Sequence, residues 1–333
     1  MMRADFLVTT VLPEPAMTML RDAGTVEVPD GVLDATGLAS ACASGEYKVV
    51  VAQLRDVFDA DLLGRARIAG VSNYAVGYNN IDVVAATSNG IMVGNTPGVL
   101  TDATADLAML LILAVARRCV EADAFVRAGR FTGWEPDLLL GSDVGGRTLG
   151  LAGFGRIARA TARRALGFGM EVVFAPRPPG ERVVGEEELG EFAGRVTQRS
   201  WPDLVASSDF LSLHVPLNEQ TRHLVDAAVL RAMPRTAILV NTARGPVVDE
   251  AALVAALRDG EIAGAGLDVF EDEPALAPGL AELPNTVLLP HLGSATVPVR
   301  AAMSRLCATN AIAMARGEVP PHAVNPEAWA ARG

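Results

Sequence analysis

The chain of 333 residues is poor in cysteine and has no long apolar run. Its three cysteines, Cys42, Cys119 and Cys307, are widely spaced and form no CxxC pair, which argues against a disulfide framework and a zinc site. We therefore predict reduced thiols in a cytoplasmic protein, and no bound metal. The longest wholly apolar run, Leu107–Ala116, has ten residues and is too short to cross a bilayer. The N-terminal apolar stretch is broken by two prolines, unlike the apolar region of a signal peptide.

Positive charge is also scarce. The chain has 28 Lys and Arg against 39 Asp and Glu, which gives a formal net charge of -11. Because nucleic acids and most membrane surfaces are anionic, we predict that the protein binds neither. The length is sufficient for two domains, each with a substantial core.

Short apolar runs alternate with helical patterns along nearly the whole chain, which is typical of parallel α/β architecture. The predicted strands are Phe6–Thr10, Val49–Ala52, Ile68–Val71, Ile91–Val93, Leu149–Ala152, Val172–Phe174, Phe210–Leu213, Ile238–Val240, Ala265–Val269 and Val287–Leu289.

Three helices are predicted from their patterns. Thr101 or Asp102 can cap a long helix that is apolar all round in its middle, so we expect that helix to be buried between domains or subunits. Asp249 can cap a second helix, which ends at Gly260, and a long amphipathic helix begins near Ala295. We predict a Rossmann-type, doubly wound dinucleotide-binding domain, residues 100–290. It is inserted into a smaller flavodoxin-like α/β substrate domain, residues 1–99 and 291–333.

A glycine loop follows one predicted strand and opens a helix. Gly153, Gly155 and Ala158 form a GxGxxA pattern. The first glycine allows a tight turn, the second lets the backbone approach a pyrophosphate, and the third position needs only a small residue. The helix N-terminus offers free N–H groups to phosphates. The pattern favours dinucleotide binding, although an ordinary glycine turn between strand and helix would look the same.

Arg244, Glu273 and His291 each follow a predicted strand. In an open α/β sheet, such side chains converge on the ligand crevice. Arginine can hold a 2-oxo acid by its carboxylate, histidine can give a proton to the carbonyl oxygen, and a carboxylate can keep that histidine charged. Each residue alone has an ordinary alternative, such as a surface ion pair. Together they predict a catalytic site.

The motifs of the chain resemble those of the D-2-hydroxyacid dehydrogenase family, and within it those of the glyoxylate/hydroxypyruvate reductases. The stretches that carry the resemblance are NYAVGYNNID (73–82), NTPGVLTDATADLAMLL (95–111), GFGRIA (153–158), VNTARGPVVDE (240–250), LDVFEDEP (267–274) and PHLGS (290–294). Glu273 follows Arg244 by 29 residues and precedes His291 by 18, as the catalytic triad of that family requires. Two departures, Ala158 for a third glycine and the pair Gly145-Gly146, do not touch the chemistry.

The resemblance implies further roles. Leu54, Val76 and Gly77 are expected to hold the substrate carboxylate, the last two through backbone N–H groups, and Asp268 is expected to contact the nicotinamide amide. Trp134 resembles a tryptophan that reaches the active site of the other subunit of a homodimer, although a core aromatic remains an alternative. The expected cofactor contacts are Thr104, Gly153, Phe154, Gly155, Arg156, Ile157, Pro176, Arg177, Pro178, His214, Pro216, Thr221, Thr242, Ala243, Asp268, His291 and Gly293.

The end of the strand Val172–Phe174 indicates which cofactor is preferred. An acidic residue normally lies there and accepts a hydrogen bond from the ribose 2′-OH of NAD. Here Pro176 lies 23 residues beyond Gly153, where that acid belongs, and Arg177 follows. Because the carboxylate is missing and arginine can pair with a 2′-phosphate, we predict a preference for NADP over NAD. A proline-rich turn that only ends the strand is the alternative.

The predicted function is therefore NAD(P)H-dependent reduction of small 2-oxo acids, with His291 as the proton donor. Other members of the family remain open, such as phosphoglycerate, formate or phosphite dehydrogenases and enzymes for longer 2-oxo acids. A regulatory domain of the phosphoglycerate type is not expected after Gly317. Two alternatives outside catalysis are a corepressor and a purely structural nucleotide-binding protein. A corepressor of this fold would also retain the triad, so the triad does not exclude it. A structural protein would not need the triad, so the intact triad argues against it.

Overall fold

The computed structural model describes residues 4–180 and 182–332, and it divides the chain into two compact units. Unit 1 consists of residues 1–100 and 295–333, and unit 2 of residues 101–294. The unit boundaries lie one and four residues after the predicted domain boundaries, so His291 and the loop after it group with unit 2. Within the described ranges, no helix is both long and apolar enough to cross a membrane.

The first part of unit 1 alternates strands and helices. They are β1 Ala4–Val8, α1 Ala16–Ala23, β2 Val26–Glu27, α2 Ala35–Ala43, β3 Tyr47–Ala52, α3 Ala60–Arg65, β4 Gly70–Asn73, α4 Val83–Ser88 and β5 Met92–Gly94. The five strands are all parallel, in the order β2-β1-β3-β4-β5, which is the flavodoxin-like order. This confirms the fold predicted for the smaller part of the chain.

Unit 2 has seven strands. Its elements are α5 Thr101–Ala116, α6 Cys119–Arg127, β6 Thr148–Ala152, α7 Arg156–Gly167, β7 Glu171–Ala175, α8 Glu186–Leu189, β8 Thr197–Gln198, α9 Trp201–Ser207, β9 Phe210–Leu213, α10 Ala227–Ala232, β10 Ile238–Asn241, α11 Glu250–Arg258, β11 Gly264–Leu267 and β12 Thr286–Leu288. The order β12-β11-β10-β9-β6-β7-β8 is parallel throughout and reverses between β6 and β9, which confirms the Rossmann-type prediction. The last long helix, α12 Val297–Ala315, belongs to unit 1.

The cores explain why the strands are nearly all apolar. In unit 2, buried side chains form two clusters, one on each face of the sheet, and unit 1 has two more. A parallel sheet that is covered on both faces needs apolar side chains in both directions. The alternation of apolar runs and helical patterns in the sequence follows from this arrangement.

Several sequence predictions need correction in detail. β2 and β8 were not predicted, because each has only two residues and no apolar run. The apolar helix α5 begins at Thr101, so Thr101 and Asp102 both lie in its first turn, and the predicted cap stays a prediction. That helix is also not buried all round within the chain, because Leu110 is 51% exposed. The cap of α11 is confirmed: Asp249 accepts a hydrogen bond from the N–H of Ala252 at 2.9 Å.

Candidate active site

The three predicted catalytic residues lie at one edge of the sheet in unit 2. Arg244 follows β10, Glu273 follows β11 and His291 follows β12. Because these neighbouring strands are parallel, their carboxyl ends meet at the same edge. Ligands of open α/β sheets bind at this edge.

Glu273 and His291 form a hydrogen-bonded pair. Nδ1 of His291 donates to Oε2 of Glu273 at 3.0 Å, and the N–H of Phe270 donates to Oε1 at 3.0 Å. Burial opposes ionisation of Glu273. The pKa of its carboxyl group is nevertheless lowered below the usual 4.5, because His291 contributes a hydrogen bond and a charge, the N–H of Phe270 donates a hydrogen bond, and Arg244 contributes a second charge. Glu273 is therefore a carboxylate near neutral pH, and it orients the imidazole ring.

The loop that carries His291 is fixed by Asp268. The Asp268 carboxylate accepts hydrogen bonds from the N–H groups of Leu292 at 2.6 Å and Gly293 at 2.8 Å. Its carbonyl accepts from the N–H of His291 at 2.9 Å, and Thr104 Oγ1 donates to the carbonyl of Gly293 at 3.0 Å. Burial raises the pKa of Asp268 above 3.8, although these N–H groups and the charge of His291 oppose the rise. The predicted nicotinamide contact of Asp268 stays a prediction, whereas its role in holding this loop is observed.

Arg244 lies in a turn that packs against the segment of Glu273. The side chain of Asn241 donates to the carbonyl of Arg244 at 2.9 Å. A Cβ on Gly245 would overlap the carbonyl of Phe270, so only glycine allows the two backbones to approach this closely. Burial lowers the pKa of Arg244 below its usual value, and the charge of Glu273 opposes this effect. Arginine remains a cation near neutral pH, so it can bind a carboxylate.

The glycine loop fits a dinucleotide. Gly153 has φ of 94°, and a Cβ there would lie 2.9 Å from the carbonyl oxygen of His214. Beside Gly155, the position of a Cβ has no neighbour within 4 Å, so the backbone is open to a ligand there. Arg156 and Ile157 are the first residues of α7, whose N-terminal N–H groups favour phosphate.

Three further predicted contacts lie at the ends of β10 and β6. The hydroxyl of Thr242 is buried and has no hydrogen-bond partner among the described residues. An orphaned buried hydroxyl fits a ligand that would supply its partner. Beside it, the N–H of Ala243 donates to Oδ1 of Asn241 at 3.0 Å. The ring of Phe154 stacks on Phe174 at 4.0 Å between centroids and belongs to the core, which leaves its backbone for a cofactor.

His214 and Thr221 already have partners in the protein. Ser212 Oγ and His214 Nε2 share a hydrogen bond of 2.9 Å, and burial lowers the pKa of His214 to about 4. His214 is therefore neutral near pH 7, and among residues 4–180 and 182–332 its ring bonds to a hydroxyl and not to a carboxylate. Thr221 Oγ1 donates to the carbonyl of Pro216 at 2.6 Å and closes that turn.

The end of β7 carries the residues on which the cofactor preference rests. The strand ends at Ala175, Pro176 is half-buried, Arg177 is exposed and Pro178 is buried. In the two described ranges, the guanidinium of Arg177 has no hydrogen bond or ion pair. The guanidinium of Arg177 can therefore bind an anionic ligand without first losing an ion pair to one of these residues.

In unit 1, two loops carry Leu54, Val76 and Gly77. The side chain of Asn95 donates to the carbonyl of Val76 at 2.8 Å, and that of Asn73 donates to the carbonyl of Gly77 at 2.9 Å. The N–H groups of Val76 and Gly77 have no acceptor within residues 4–180 or 182–332. Two adjacent free N–H groups with anchored carbonyls can bind an anion.

Trp134 lies in the segment between α6 and β6 and is 81% exposed. The alternative that it is a core aromatic of this chain is therefore wrong. Its predicted contact with a second subunit stays a prediction.

Sequence reasoning missed the residues that hold these loops in place. Asn73 and Asn95 lie in stretches that carry the family resemblance, but no role was given to their side chains. Glu250 is the last residue of the stretch VNTARGPVVDE, and no role for its side chain is predicted from the sequence. Only the structure shows that Asn73 and Glu250 are buried and that Asn95 is half-buried, so no pattern in the sequence identifies them.

The fold and the site together define an NAD(P)-dependent oxidoreductase. Residues 109–293, more than half of the chain, match the NAD binding domain of the D-isomer specific 2-hydroxyacid dehydrogenases. The chain belongs to this family.

Relatives with known names agree with this. The chain is 47% identical over 332 residues to a glyoxylate reductase of Thermococcus onnurineus, which covers 98% of this chain and 97% of that protein. It is 51% identical over 286 residues to a glyoxylate reductase of Thermococcus litoralis, which covers 84% of each. Among solved structures, an NADPH-dependent glyoxylate/hydroxypyruvate reductase of Sinorhizobium meliloti, in complex with NADP and malonate, is similar with a TM-score of 0.83. Its sequence identity is 34%, with 98% of each chain covered.

Proposed function

We propose that this protein reduces small 2-oxo acids, glyoxylate and hydroxypyruvate foremost, to 2-hydroxy acids. The observation that carries the proposal is the His291–Glu273 pair beside Arg244 at the ligand edge of the sheet. Relatives that cover nearly the whole chain are named glyoxylate reductases, which supports the choice of substrate.

The chemistry that the bound cofactor supplies is a hydride for C2 of the 2-oxo acid. His291 donates the proton that the carbonyl oxygen takes up, and Glu273 stabilises the charged imidazole before transfer. Arg244 binds the substrate carboxylate and polarises the carbonyl group. One hydride and one proton convert the carbonyl to a hydroxyl, so the reaction balances.

We propose that unit 2 is the dinucleotide-binding domain and that unit 1 contributes to substrate binding. The free N–H groups of Val76 and Gly77 are suited to a carboxylate, and Leu54 lies on the neighbouring loop. Asn80 supports that loop, because its side chain donates to the carbonyl of Gln53 at 3.1 Å.

NADPH is the proposed preferred cofactor, with NADH as a possible second. The support is the exposed Arg177, which has no ion pair with any residue that the structure describes, together with the absence of a carboxylate at Pro176. The relative from Sinorhizobium meliloti is described as NADPH-dependent. A 2′-phosphate would gain a charge-assisted contact with Arg177 that a 2′-hydroxyl would not.

We also propose a homodimer formed through unit 2. Its α5 and the segment after α6 expose large apolar side chains, with Leu110 at 51%, Phe131 at 53% and Trp134 at 81% exposure. Contiguous apolar patches on a protein surface mark interaction sites, and a second copy is the partner that the family resemblance implies. The cytoplasmic location inferred from the cysteines stays a prediction.

The experiment that tests the proposed function is a screen of 2-oxo acids with each reduced cofactor. Oxidation of NADPH and NADH is followed at 340 nm with glyoxylate, hydroxypyruvate, pyruvate and a longer 2-oxo acid. The expected result is the highest kcat/KM with glyoxylate or hydroxypyruvate and NADPH. Activity confined to a different acid would contradict the substrate, and no activity with any 2-oxo acid would contradict the function.

A further inference from the structure

A buried carboxylate lies behind the catalytic segment. Glu250, the first residue of α11, is only 3% exposed. Its Oε1 accepts a hydrogen bond from the N–H of Glu271 at 2.6 Å, and its Oε2 accepts from the N–H of Ala277 at 3.2 Å. These two donors stand on either side of Glu273 in the chain. One carboxylate therefore ties both ends of the segment 271–277.

The same segment is held from a second side. Glu271 Oε1 accepts from Nε2 of His223 at 2.6 Å and from the guanidinium of Arg222 at 3.1 Å. Its Oε2 faces the N–H of Glu250 at 3.4 Å, so the side chain of each glutamate meets the N–H of the other. These reciprocal hydrogen bonds between Glu250 and Glu271 restrict the conformation of the turn from Phe270 to Glu273.

A buried carboxylate is costly, which indicates that its contacts matter. Burial raises the pKa of Glu250 above its usual 4.5, and the negative charges of Glu271 and Asp272 raise it further. The N–H groups of Glu271 and Ala277 act in the opposite direction and favour the charged form. An apolar side chain would avoid the desolvation but would leave both N–H groups without an acceptor.

We propose that Glu250 is a positioning residue for the reduction: it holds the segment 271–277 so that Glu273 stays hydrogen-bonded to His291. Among the described contacts, the carboxylate of Glu250 bonds to the N–H groups of Glu271 and Ala277 and not to the imidazole ring of His291, so its effect on that ring passes through Glu273. The inference rests on the proposed function for its effect on turnover, whereas its effect on Glu273 is independent of the substrate.

The test uses Glu250→Gln and Glu250→Asp, with Glu282→Gln as a matched control on an exposed glutamate of the same unit. In Glu250→Gln an amide N–H₂ replaces one oxygen, so one of the two backbone N–H groups loses its acceptor. In Glu250→Asp the shorter carboxylate cannot reach both donors. The second variant carries the test if the first does not fold.

The first readout is the pKa of Glu273, from the ¹³C signal of its carboxyl group in labelled protein, assigned with Glu273→Gln. The lowered pKa of Glu273 is expected to rise toward its usual value in the Glu250 variants, because the hydrogen bond to His291 is weakened. It should stay unchanged in Glu282→Gln. An unchanged pKa in both Glu250 variants would overturn the proposal.

The second readout separates positioning from general stability. At pH 7, kcat is expected to fall about tenfold in Glu250→Gln, with KM for NADPH within about twofold of wild type. In the Glu273→Gln background the same change should have almost no further effect, because Glu250 acts through Glu273. If Glu250→Gln lowers kcat in the Glu273→Gln background by the same factor as in wild type, the inference is refuted. An inactive wild type would instead refute the proposed function, and the pKa readout would still decide the role of Glu250.

Discussion

At the scale of single residues, the neighbours of each side chain decide its chemistry. His214 and His291 both follow strands of the same sheet, so their position after a strand does not distinguish them. His214 meets the hydroxyl of Ser212, and burial lowers its pKa to about 4, so it is neutral. His291 meets the carboxylate of Glu273, so it is suited to carry a proton. The sequence could predict the acid of the reaction only through the joint pattern with Arg244 and Glu273.

Arg177 is the residue on which the cofactor preference depends. In Arg177→Ala, kcat/KM with NADPH is expected to fall about tenfold or more, because a charge-assisted contact to the 2′-phosphate is lost. With NADH, which has no such phosphate, kcat/KM should change less than about twofold. The measurement is steady-state kinetics with both cofactors. Arg235→Ala, an exposed arginine of the same unit, is the control, and equal losses with both cofactors would rule out the assigned role.

Asp5 makes stability depend on pH. The hydrogen bond from Lys48, with contacts to Thr25, lowers the pKa of Asp5 from 3.8 to about 2. Because the folded pKa is below the unfolded one, the stabilisation is present above about pH 4 and is lost as pH falls toward 2. Asp5→Asn is expected to cost about 1 kcal/mol of unfolding free energy at pH 7, since solvent screens the pair. In urea unfolding, the difference from wild type should shrink steadily as pH falls from 4 toward 2, and a constant difference would contradict this.

At the scale of elements, the sequence predicted most strands but not what holds the loops between them. Ten strands were predicted from apolar runs, whereas β2 and β8 were missed because two residues carry no pattern. The loops depend on long-range polar contacts: Asn310 of α12 donates to the carbonyl of Asn95 at 2.9 Å, and Asn95 in turn anchors Val76. Asn95 and Asn310 are separated by 215 positions in the sequence, so no local sequence pattern reveals their contact.

The loop of Val76 and Gly77 gives a prediction for substrate affinity. In Asn95→Asp the side chain can no longer donate to the carbonyl of Val76, and its charge repels that oxygen. KM for glyoxylate is expected to rise about tenfold, with KM for NADPH within twofold, because only the N–H pair is misplaced. The control is Asn89→Asp, at the exposed end of α4. Unchanged KM for glyoxylate would show that these N–H groups do not bind substrate.

At the scale of the whole molecule, the order of both sheets could be expected from the pattern of the chain, and the structure confirms it. The boundaries of the two units could be estimated only to within four residues, since no proline- or glycine-rich linker marks them. Exposure of the apolar helix was not predictable, because its sequence is apolar on every face. Only packing shows that Leu110 points away from the core.

The exposed apolar side chains of unit 2 predict the oligomeric state. Wild type should have twice the mass of one chain by size exclusion with light scattering. The double variant with Leu110→Glu and Phe131→Glu should have the mass of one chain, because two buried charges would destabilise the interface. Val84→Glu, on an exposed valine of unit 1, should remain a dimer. A wild type of single-chain mass would contradict the proposed dimer.

The central claim is that His291 delivers the proton in the reduction of a 2-oxo acid. The most direct measurement is kcat of His291→Gln with glyoxylate and NADPH, together with the Kd of NADPH from fluorescence titration. The account predicts a fall in kcat of about 10²–10⁴-fold, the usual contribution of a general acid, with Kd within about twofold of wild type. A variant that keeps its turnover within a few-fold of wild type would contradict the claim.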